Sequence, residues 1–338
     1  MERRFKNQKW TVRVIKTSPA FFIFLLLSPQ ASAFTPPSWF KNGTYVTYAI
    51  FPGEGEDEKG FNLLLPSLMP PKDIIKFRPY VGDYIKHDAL FDVDTYGPTF
   101  LTIRLYNVTN SSALVNITLE FRNATLGRSK PIKSLTLSRT LLLNLTDGYY
   151  YLNGTRIGMP SFFISTSNLP PKGKIFLNCK PLRERAFACN DLKVSNVSFE
   201  SKKTVITFVK KFHPPQVKVS LGTLSLTTTK HGNLALTGIS WTIYDFDTGL
   251  AISLDTITSP EFIALGIICP STYNHYSAEM NKKLDFSKEY WPYGFVLYET
   301  NIQFPKEETG RAPDTPLKYY LILGITLLIT SLIRRLRK

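Results

Sequence analysis

Two pairs of aspartates have the spacing that comes nearest to a metal-binding pattern in this chain. Asp245 and Asp247 lie two residues apart in the segment YDFDTGL, and Asp92 and Asp94 have the same spacing around a valine. Carboxylates this close in a turn could provide hard oxygen ligands for Ca²⁺. An EF-hand type loop also needs a third oxygen side chain and a distal glutamate, which neither segment has. We therefore predict no metal and no cofactor, and keep Asp245 and Asp247 as candidate ligands beside the alternative of a strand–turn–strand hairpin.

The residue patterns that identify common enzyme classes are absent from the sequence. It has no G-x-S-x-G elbow, no H-E-x-x-H, no P-loop and no G-x-G-x-x-G after a strand. Of its four histidines, His213 precedes two prolines and His231 lies in the segment KHGN. Both fit solvated turns better than the role of a ligand or a base. We predict no catalytic residues and a non-enzymatic protein, and a hydrolase with scattered Asp and Glu is the less favoured alternative.

The three cysteines predict one disulfide. Cys179 and Cys189 bracket the polar, basic segment KPLRERAFA, which could close as a disulfide in an oxidising compartment. Cys269 is then left over, and a buried free thiol is its simplest interpretation. No C-x-x-C spacing or neighbouring histidine pattern accompanies these cysteines, so they are not expected to bind a metal.

Asn-x-Ser/Thr sequons are more frequent than random placement of these residue types would give. Such an excess favours a glycosylated, exported surface, although threonine-rich strands beside asparagine-containing turns produce the same pattern. The candidate glycosylation sites are Asn42, Asn107, Asn110, Asn116, Asn123, Asn144, Asn153 and Asn196.

The N-terminus has the layout of a secretory signal peptide over residues 1–33. A basic stretch is followed by an apolar run at 20–27 and by the small-residue sequence Ala31-Ser32-Ala33. The apolar run is short for a membrane-spanning helix, which needs roughly 20 residues. Cleavage after Ala33 is expected, and an uncleaved signal anchor is the alternative.

The C-terminus has the pattern of a membrane anchor. Residues 317–333 (LKYYLILGITLLITSLI) carry one charge near their start, and the basic tail 334–338 follows. Tyrosines at one end and basic residues at the other are typical of a span whose basic side is cytoplasmic. We predict a single-pass cell-membrane protein with its N-terminus outside. A helix that packs into a domain core is the alternative.

The basic charge of the chain lies mainly in these two ends. The net charge is +15, but residues 1–33 hold six Lys and Arg and residues 318–338 hold five. Residues 34–317 keep 30 basic against 25 acidic side chains. This small surplus gives no support to a nucleic-acid partner, and none is predicted.

The intervening sequence predicts an all-β fold. Alternating apolar and polar residues, rich in β-branched and aromatic types, recur between turn sequences, and amphipathic helices are nearly absent apart from 277–284. Sequential hairpins predict an antiparallel meander that forms a curved sheet, a sandwich or an open barrel. The Pro-rich stretches 65–72 and 169–172 are the expected linkers. The predicted order is an N-terminal β region (34–178), a C-terminal β region (179–304) and a stalk (305–316), and one continuous domain is the alternative for the two β regions.

The architecture resembles uncharacterised membrane-anchored surface proteins of hyperthermophilic archaea. The resemblance covers the signal peptide, the Thr/Asn/Tyr-rich β region, the ending IRRLRK and the hairpin sequence at 244–250. It implies no reaction and no catalytic residue. The favoured function is a non-enzymatic extracellular module, either an envelope component or an accessory subunit of a membrane complex, that binds protein or glycan. The alternative is a carrier for an apolar or sugar ligand inside a curved sheet.

Overall fold

The computed structural model describes residues 35–53, 55–81, 90–127, 131–180, 187–223, 226–228, 240–256 and 258–304. The predicted signal peptide, stalk, membrane helix and basic tail lie outside these residues and remain predictions. Within the described part of the chain, no helix has the length and apolar character needed to cross a bilayer.

Strands dominate the described residues, which confirms the all-β prediction. The strands are β1 (Tyr45–Ile50), β2 (Gly60–Leu64), β3 (Phe91–Thr95), β4 (Thr99–Tyr106), β5 (Ser112–Leu126), β6 (Ile132–Asn144), β7 (Tyr149–Leu152), β8 (Thr155–Gly158), β9 (Ile175–Leu177), β10 (Phe187–Cys189), β11 (Leu192–Glu200), β12 (Thr204–Ile206), β13 (Lys211–Phe212), β14 (Gln216–Leu221), β15 (Leu226–Thr228), β16 (Ser240–Asp245), β17 (Ala251–Asp255), β18 (Ile267–Cys269), β19 (Glu289–Tyr290) and β20 (Phe295–Thr300).

Twelve of these strands form a closed antiparallel barrel. Their order is β5–β4–β1–β20–β17–β16–β14–β11–β9–β8–β7–β6, and β6 pairs again with β5. The ring contains strands from both predicted β regions, since β1 pairs with β20. The expected open barrel, curved sheet or sandwich is therefore corrected to a closed ring. The closing contact is long, because β5 and β6 pair from Ser112–Asn144 to Ala124–Ile132.

The alternation in the sequence sets the two faces of the ring. Leu101, Ile103 and Leu105 of β4 are almost fully buried, while the residues between them are half-buried on the outer face. Their register partners on β5, such as Leu119 and Ile117, are also fully buried. Because side chains alternate between faces along a strand, this pattern places one apolar face inside the barrel.

A helix covers the part of β6 that β7 does not reach. Helix α1 (Pro71–Val81) places Asp73 so that its carboxylate accepts a hydrogen bond from Ser138 N (3.0 Å), and Lys76 Nζ donates to Thr136 O (2.8 Å). Covering a strand edge satisfies backbone groups that would otherwise stay unpaired. The predicted linker at 65–72 is thus wrong, because its prolines occupy a 3-10 turn (Pro66–Leu68) and the first turn of α1, where proline is tolerated.

Two further helices are short. Helix α2 (Pro260–Ala264) has Ser259 as its N-cap and lies in the core, with every residue buried. Helix α3 (His275–Asn281) begins two residues before the predicted 277–284 helix, because the Asn274 side chain accepts a hydrogen bond from Ser277 N (3.3 Å) and caps it there.

Candidate functional site

An open cleft of about 500 Å³ lies at one end of the barrel. It is lined by backbone and side chains from four segments that are distant in sequence. We call it the Trp39 cleft, and its lining residues are Thr35, Pro36, Pro37, Ser38, Trp39, Ser165, Thr166, Ser167, Asp247, Thr248, Gln303 and Phe304.

Strand register places the cleft at the end of the ring where β1 begins and β20 ends. Asn301, just after β20, accepts a hydrogen bond from Tyr45 N through Oδ1 (2.9 Å) and donates to Gly43 O through Nδ2 (3.0 Å). The turn between β16 and β17 reaches the same end, since β17 pairs antiparallel with β20. The first and last described segments therefore meet beside this turn.

Trp39 fixes one side of the cleft. Its indole Nε1 donates to Thr248 O (2.7 Å), and its ring packs against Phe163 (centroids 5.8 Å apart) and Phe162 (6.4 Å). Only 8% of Trp39 is exposed. A buried indole N–H needs an acceptor, and here that acceptor is the backbone of the 245–249 turn. The cleft wall and the turn are thus joined by one hydrogen bond.

The side chain of Asp245 stabilises the 245–249 turn. The Asp245 carboxylate accepts hydrogen bonds from Thr248 N (3.0 Å) and from the Thr248 hydroxyl, and Gly249 N donates to Asp245 O (2.8 Å). Burial raises the pKa of Asp245, and the Thr248 bonds oppose that rise. Gly249 has φ +69°, and a Cβ there would collide with the Ile164 carbonyl oxygen, so this position requires glycine.

Asp245 and Asp247 have different environments. Asp245 is buried and bonded within the turn, whereas Asp247 is exposed and lines the cleft. In the described residues, no three His, Cys, Asp or Glu side chains are grouped so that they could hold a metal ion. The second aspartate pair lies on β3, where Asp94 forms an ion pair with Lys59 (3.0 Å).

The cleft is suited to forming hydrogen bonds with a polyhydroxylated ligand. Ser38, Thr166 and Ser167 carry hydroxyls that both donate and accept, Gln303 carries an amide, and Asp247 carries an acceptor carboxylate. Phe304 adds an apolar ring, which packs edge-on against Phe212 at 5.3 Å. Among the described residues that line the cleft, Asp247 is the sole carboxylate.

A second polar region lies inside the barrel, around Glu261. The Glu261 carboxylate accepts hydrogen bonds from Ser161 N (2.8 Å) and Ser161 Oγ (2.9 Å), and it is fully buried. Burial raises the pKa of Glu261, although the bonds from Ser161 and Ser259 act in the opposite direction. We call Glu261, Ser161, Ser259, Tyr48, Tyr150 and Tyr244 the Glu261 cluster.

The three tyrosines of the Glu261 cluster differ in their hydrogen bonds. Tyr244 donates to Ser161 O (3.0 Å), and Tyr48 donates to Ala251 O (3.1 Å). Tyr150 has a buried hydroxyl that forms no hydrogen bond of normal geometry with any described residue. Burial raises the pKa of all three, and the Glu261 charge raises it further. All six residues of the cluster are fully buried.

An aromatic group on the outer side of the barrel includes part of the tyrosine-rich stretch at 273–298. Phe208 is at its centre, with ring centroids 4.9 Å from Trp291, 5.1 Å from Tyr276 and 5.3 Å from Tyr298. Trp291 is buried and packs with Ile206 and Val296. This group is the core between α3, the three-stranded β12–β13–β19 sheet and the barrel.

The remaining predicted sites have mixed outcomes. Cys179 and Cys189 form the predicted disulfide, and Cys269 is a free thiol that is only partly buried. His213 is exposed, as expected of a turn histidine. His231 lies outside the described residues.

Of the sequon asparagines, Asn116 and Asn144 are half-buried, and the exposed ones are Asn42, Asn107, Asn110, Asn123, Asn153 and Asn196.

Sequence reasoning missed most of the cleft. Trp39 and Ser165–Ser167 have no motif, and only the Asp245–Gly249 hairpin was singled out. The signal that could have indicated the Glu261 cluster is a lone glutamate within the apolar run at 260–268. An ionisable residue in such a run must be buried with partners.

No protein-family model and no curated protein matches this chain. A similar solved structure is that of a protein from Bacteroides fragilis NCTC 9343, which has a YmcC-like fold and is thought to be exported. The two chains are 10% identical, and the match has a TM-score of 0.25 and covers 65% of this chain and 95% of the other.

Proposed function

We propose that this chain is a non-enzymatic β module, exported and held at a membrane by its C-terminal segment, that binds a neutral glycan in the Trp39 cleft. The observation that carries the proposal is the cleft lining, in which hydroxyls, an amide and one carboxylate surround aromatic side chains. Sugars offer many hydroxyls to such groups and apolar C–H faces to aromatic rings. The cleft volume of about 500 Å³ is within the range of small-molecule sites.

A glycan suits this cleft better than a protein partner does. A stable protein interface buries at least about 1,200 Å² and presents an apolar core with a polar rim. The Trp39 cleft is instead a confined, mainly polar depression, and its aromatic side chain Trp39 is largely buried. Confinement with many hydrogen-bonding groups favours a small polar ligand.

The carboxylates of the described lining support binding without hydrolysis. Glycoside hydrolysis in most families needs two carboxylic side chains about 5–9.5 Å apart on either side of the bond. Among the described lining residues Asp247 is the sole carboxylate, and neighbouring Asp245 is buried and bonded to Thr248. Glu261, the other buried carboxyl with a raised pKa, is sealed in the core. The hydrolase alternative lacks its second group here.

The carrier alternative is less favoured because side chains occupy the barrel interior. Phe162 and Phe163 enter from the loop after β8, and Phe262 enters from α2 and packs on Phe295 (5.2 Å). All four are at most 1% exposed. They take up the space that an apolar ligand inside the ring would need.

The test is sugar binding by the full chain in a detergent that has no sugar headgroup, because glycoside detergents would compete for the cleft. Neutral oligosaccharides are titrated in a calorimeter against the wild type, Asp247→Asn and Asp57→Asn. Asp57 is an exposed aspartate beside β2, outside the cleft lining, so it is the matched control. We expect saturable binding that is about tenfold weaker in Asp247→Asn, from the loss of a charge-assisted hydrogen bond.

Two results would contradict the proposal. One is the absence of saturable binding by the wild type with any neutral oligosaccharide. The other is an equal loss of affinity in Asp57→Asn and Asp247→Asn, which would indicate a general charge effect. New reducing ends in the incubated oligosaccharides would support the hydrolase alternative instead.

A further inference from the structure

We infer that the Trp39 cleft faces the membrane and that its ligand is the neutral sugar headgroup of a lipid in that same membrane. This inference rests on the proposed glycan-binding function and assigns the class of glycan. The described chain starts and ends at the cleft. Thr35 and Phe304, close to the two limits of the described chain, both line the cleft.

The predicted signal peptide and the predicted membrane helix both adjoin this end of the barrel in sequence. The signal sequence 1–33 is followed by Phe34 and Thr35, and the apolar segment 317–333 follows Phe304 after twelve residues. A fully extended chain reaches at most about 3.3–3.6 Å per residue, so the 305–316 segment spans no more than roughly 40 Å. The predicted membrane helix, and also the N-terminal segment if it is retained, would therefore attach at the cleft end, which favours this end as the one nearer the bilayer.

The opposite end of the barrel lies much farther away. Strand β5 runs from Ser112 at the cleft end to Leu126 at the other end, over fifteen residues. At about 3.3 Å per residue and a tilt typical of barrels, this separates the two ends by roughly 40 Å. Asp57 lies in the 3-10 turn Glu56–Glu58 that follows β1, which runs from Tyr45 at the cleft end to Ile50. Asp57 therefore marks the end of β1 that is opposite the cleft.

The charge of the cleft selects among lipid headgroups. Asp247 is an exposed carboxylate in the lining, so an anionic phosphate headgroup would be repelled. Lys210 lies beside Phe304, with Nζ 5.5 Å from the ring centroid, and it also interacts with the charge of Asp245. The hydroxyl and amide groups that remain match a neutral sugar.

Glycans on the sequons at this end would determine how long a lipid headgroup must be to reach the cleft. Asn42, Asn107 and Asn144 lie near the start of β1 and the ends of β4 and β6. Glycans on them would hold the cleft away from the bilayer surface by about the size of a sugar chain. A headgroup of two or more sugars would bridge that gap, so we take a diglycosyl lipid as the probe.

The experiment measures orientation and binding separately in the full chain. For orientation, a fluorophore is attached to Ser167→Cys or Asp57→Cys in a Cys269→Ala background, and the protein is reconstituted in phosphatidylcholine vesicles with brominated lipid. Both positions are exposed, and brominated chains quench only fluorophores at the bilayer. We expect a larger loss of fluorescence at Ser167→Cys than at Asp57→Cys.

For binding, the unlabelled chain is reconstituted in phosphatidylcholine vesicles with digalactosyl diacylglycerol or with phosphatidylglycerol, and tryptophan fluorescence is recorded. We expect a change with the digalactosyl lipid alone, and its loss in Asp247→Asn. Quenching at Asp57→Cys that equals or exceeds that at Ser167→Cys overturns the inference. If free oligosaccharides still bind in detergent, the proposed function survives that result. A response to phosphatidylglycerol equal to that with the digalactosyl lipid also overturns the inference.

Discussion

The Glu261 cluster and the Trp39 cleft are two polar regions built on one segment of chain, and they differ in whether water reaches them. Ser161 bonds to Glu261 in the interior, Phe162 and Phe163 pack beside Trp39, and Ser165–Ser167 line the cleft. Within seven residues the same segment passes from a sealed network to an open site. In the first region Glu261 and Ser161 are bonded to each other in the interior, whereas in the second region the Asp247 carboxylate is exposed.

The carboxyls of the two regions show what this difference means for function. Glu261 is fully buried and its carboxylate accepts two hydrogen bonds from Ser161, so it stabilises the fold. Asp247 is exposed, so its carboxylate can accept hydrogen bonds from a ligand. A buried acid with a raised pKa is often a candidate catalytic group, but that inference requires access to substrate. We therefore expect substitutions in the cluster to change stability and substitutions in the cleft to change binding.

Glu261→Ala is expected to have the largest effect on stability. It leaves the N–H and hydroxyl of Ser161 buried without their acceptor, and it creates a cavity in the core. The expected loss is on the order of 4 kcal/mol in the free energy of unfolding. Urea denaturation of the full chain in detergent, followed by tryptophan fluorescence, measures it. Glu279→Ala on the exposed surface of α3 is the control and should leave the denaturation midpoint unchanged.

Gly249→Ala tests the cleft end by the same measurement. A Cβ at Gly249 would collide with the Ile164 carbonyl oxygen, and φ is +69°. We expect a loss of more than about 2 kcal/mol. Gly154→Ala is the matched control, because Gly154 has φ +77° and no atom within 4 Å of its Cβ position, so only the conformational cost of about 1 kcal/mol remains. Equal losses in the two variants would show that the 164–249 contact is not tight.

The sequence predicted the strands of this barrel better than it predicted their partners. The predicted alternation is present in β4 and β5, where one face of each is buried, and the turn at 245–249 was correctly placed between two strands. Closure depends on pairing β1 with β20, whose residues are about 250 positions apart, as in Val46–Thr300. A period-2 pattern states which face is apolar but does not specify the neighbouring strand.

The cleft was harder to foresee than the fold, for a related reason. Its wall combines Trp39, Ser165–Ser167 and Phe304, and no local pattern connects them. The first helix was also missed, because prolines in its first turn read as a linker although proline is tolerated there. Features that depend on distant segments meeting cannot be derived from spacing along the chain.

The pH dependence of stability distinguishes the two regions further. Burial raises the pKa of Glu261 in the folded chain above its ordinary value of 4.5. At pH values between the ordinary pKa and the raised pKa of Glu261, the folded state binds more protons than the unfolded state. The free energy of unfolding therefore falls as pH rises through this range. A glutamine at this position cannot ionise, so Glu261→Gln should lack the decrease in the free energy of unfolding that Glu261 causes. The free energy of unfolding, measured below and above the ordinary carboxyl range, gives the difference. Asp247→Asn should keep the full fall, and an identical slope in wild type and Glu261→Gln would contradict the assignment.

The smallest expected effects come from the hydroxyls of the Glu261 cluster, and they test how completely that cluster is bonded. Tyr244→Phe removes the donor to Ser161 O, so a loss of about 1 kcal/mol is expected. Tyr150→Phe removes a buried hydroxyl that has no hydrogen bond of normal geometry in the described structure, so stability should be unchanged or slightly higher. The same urea denaturation compares the pair. A loss in Tyr150→Phe as large as that in Tyr244→Phe would mean that Tyr150 donates to Glu261, and every polar group of the sealed region would then be bonded.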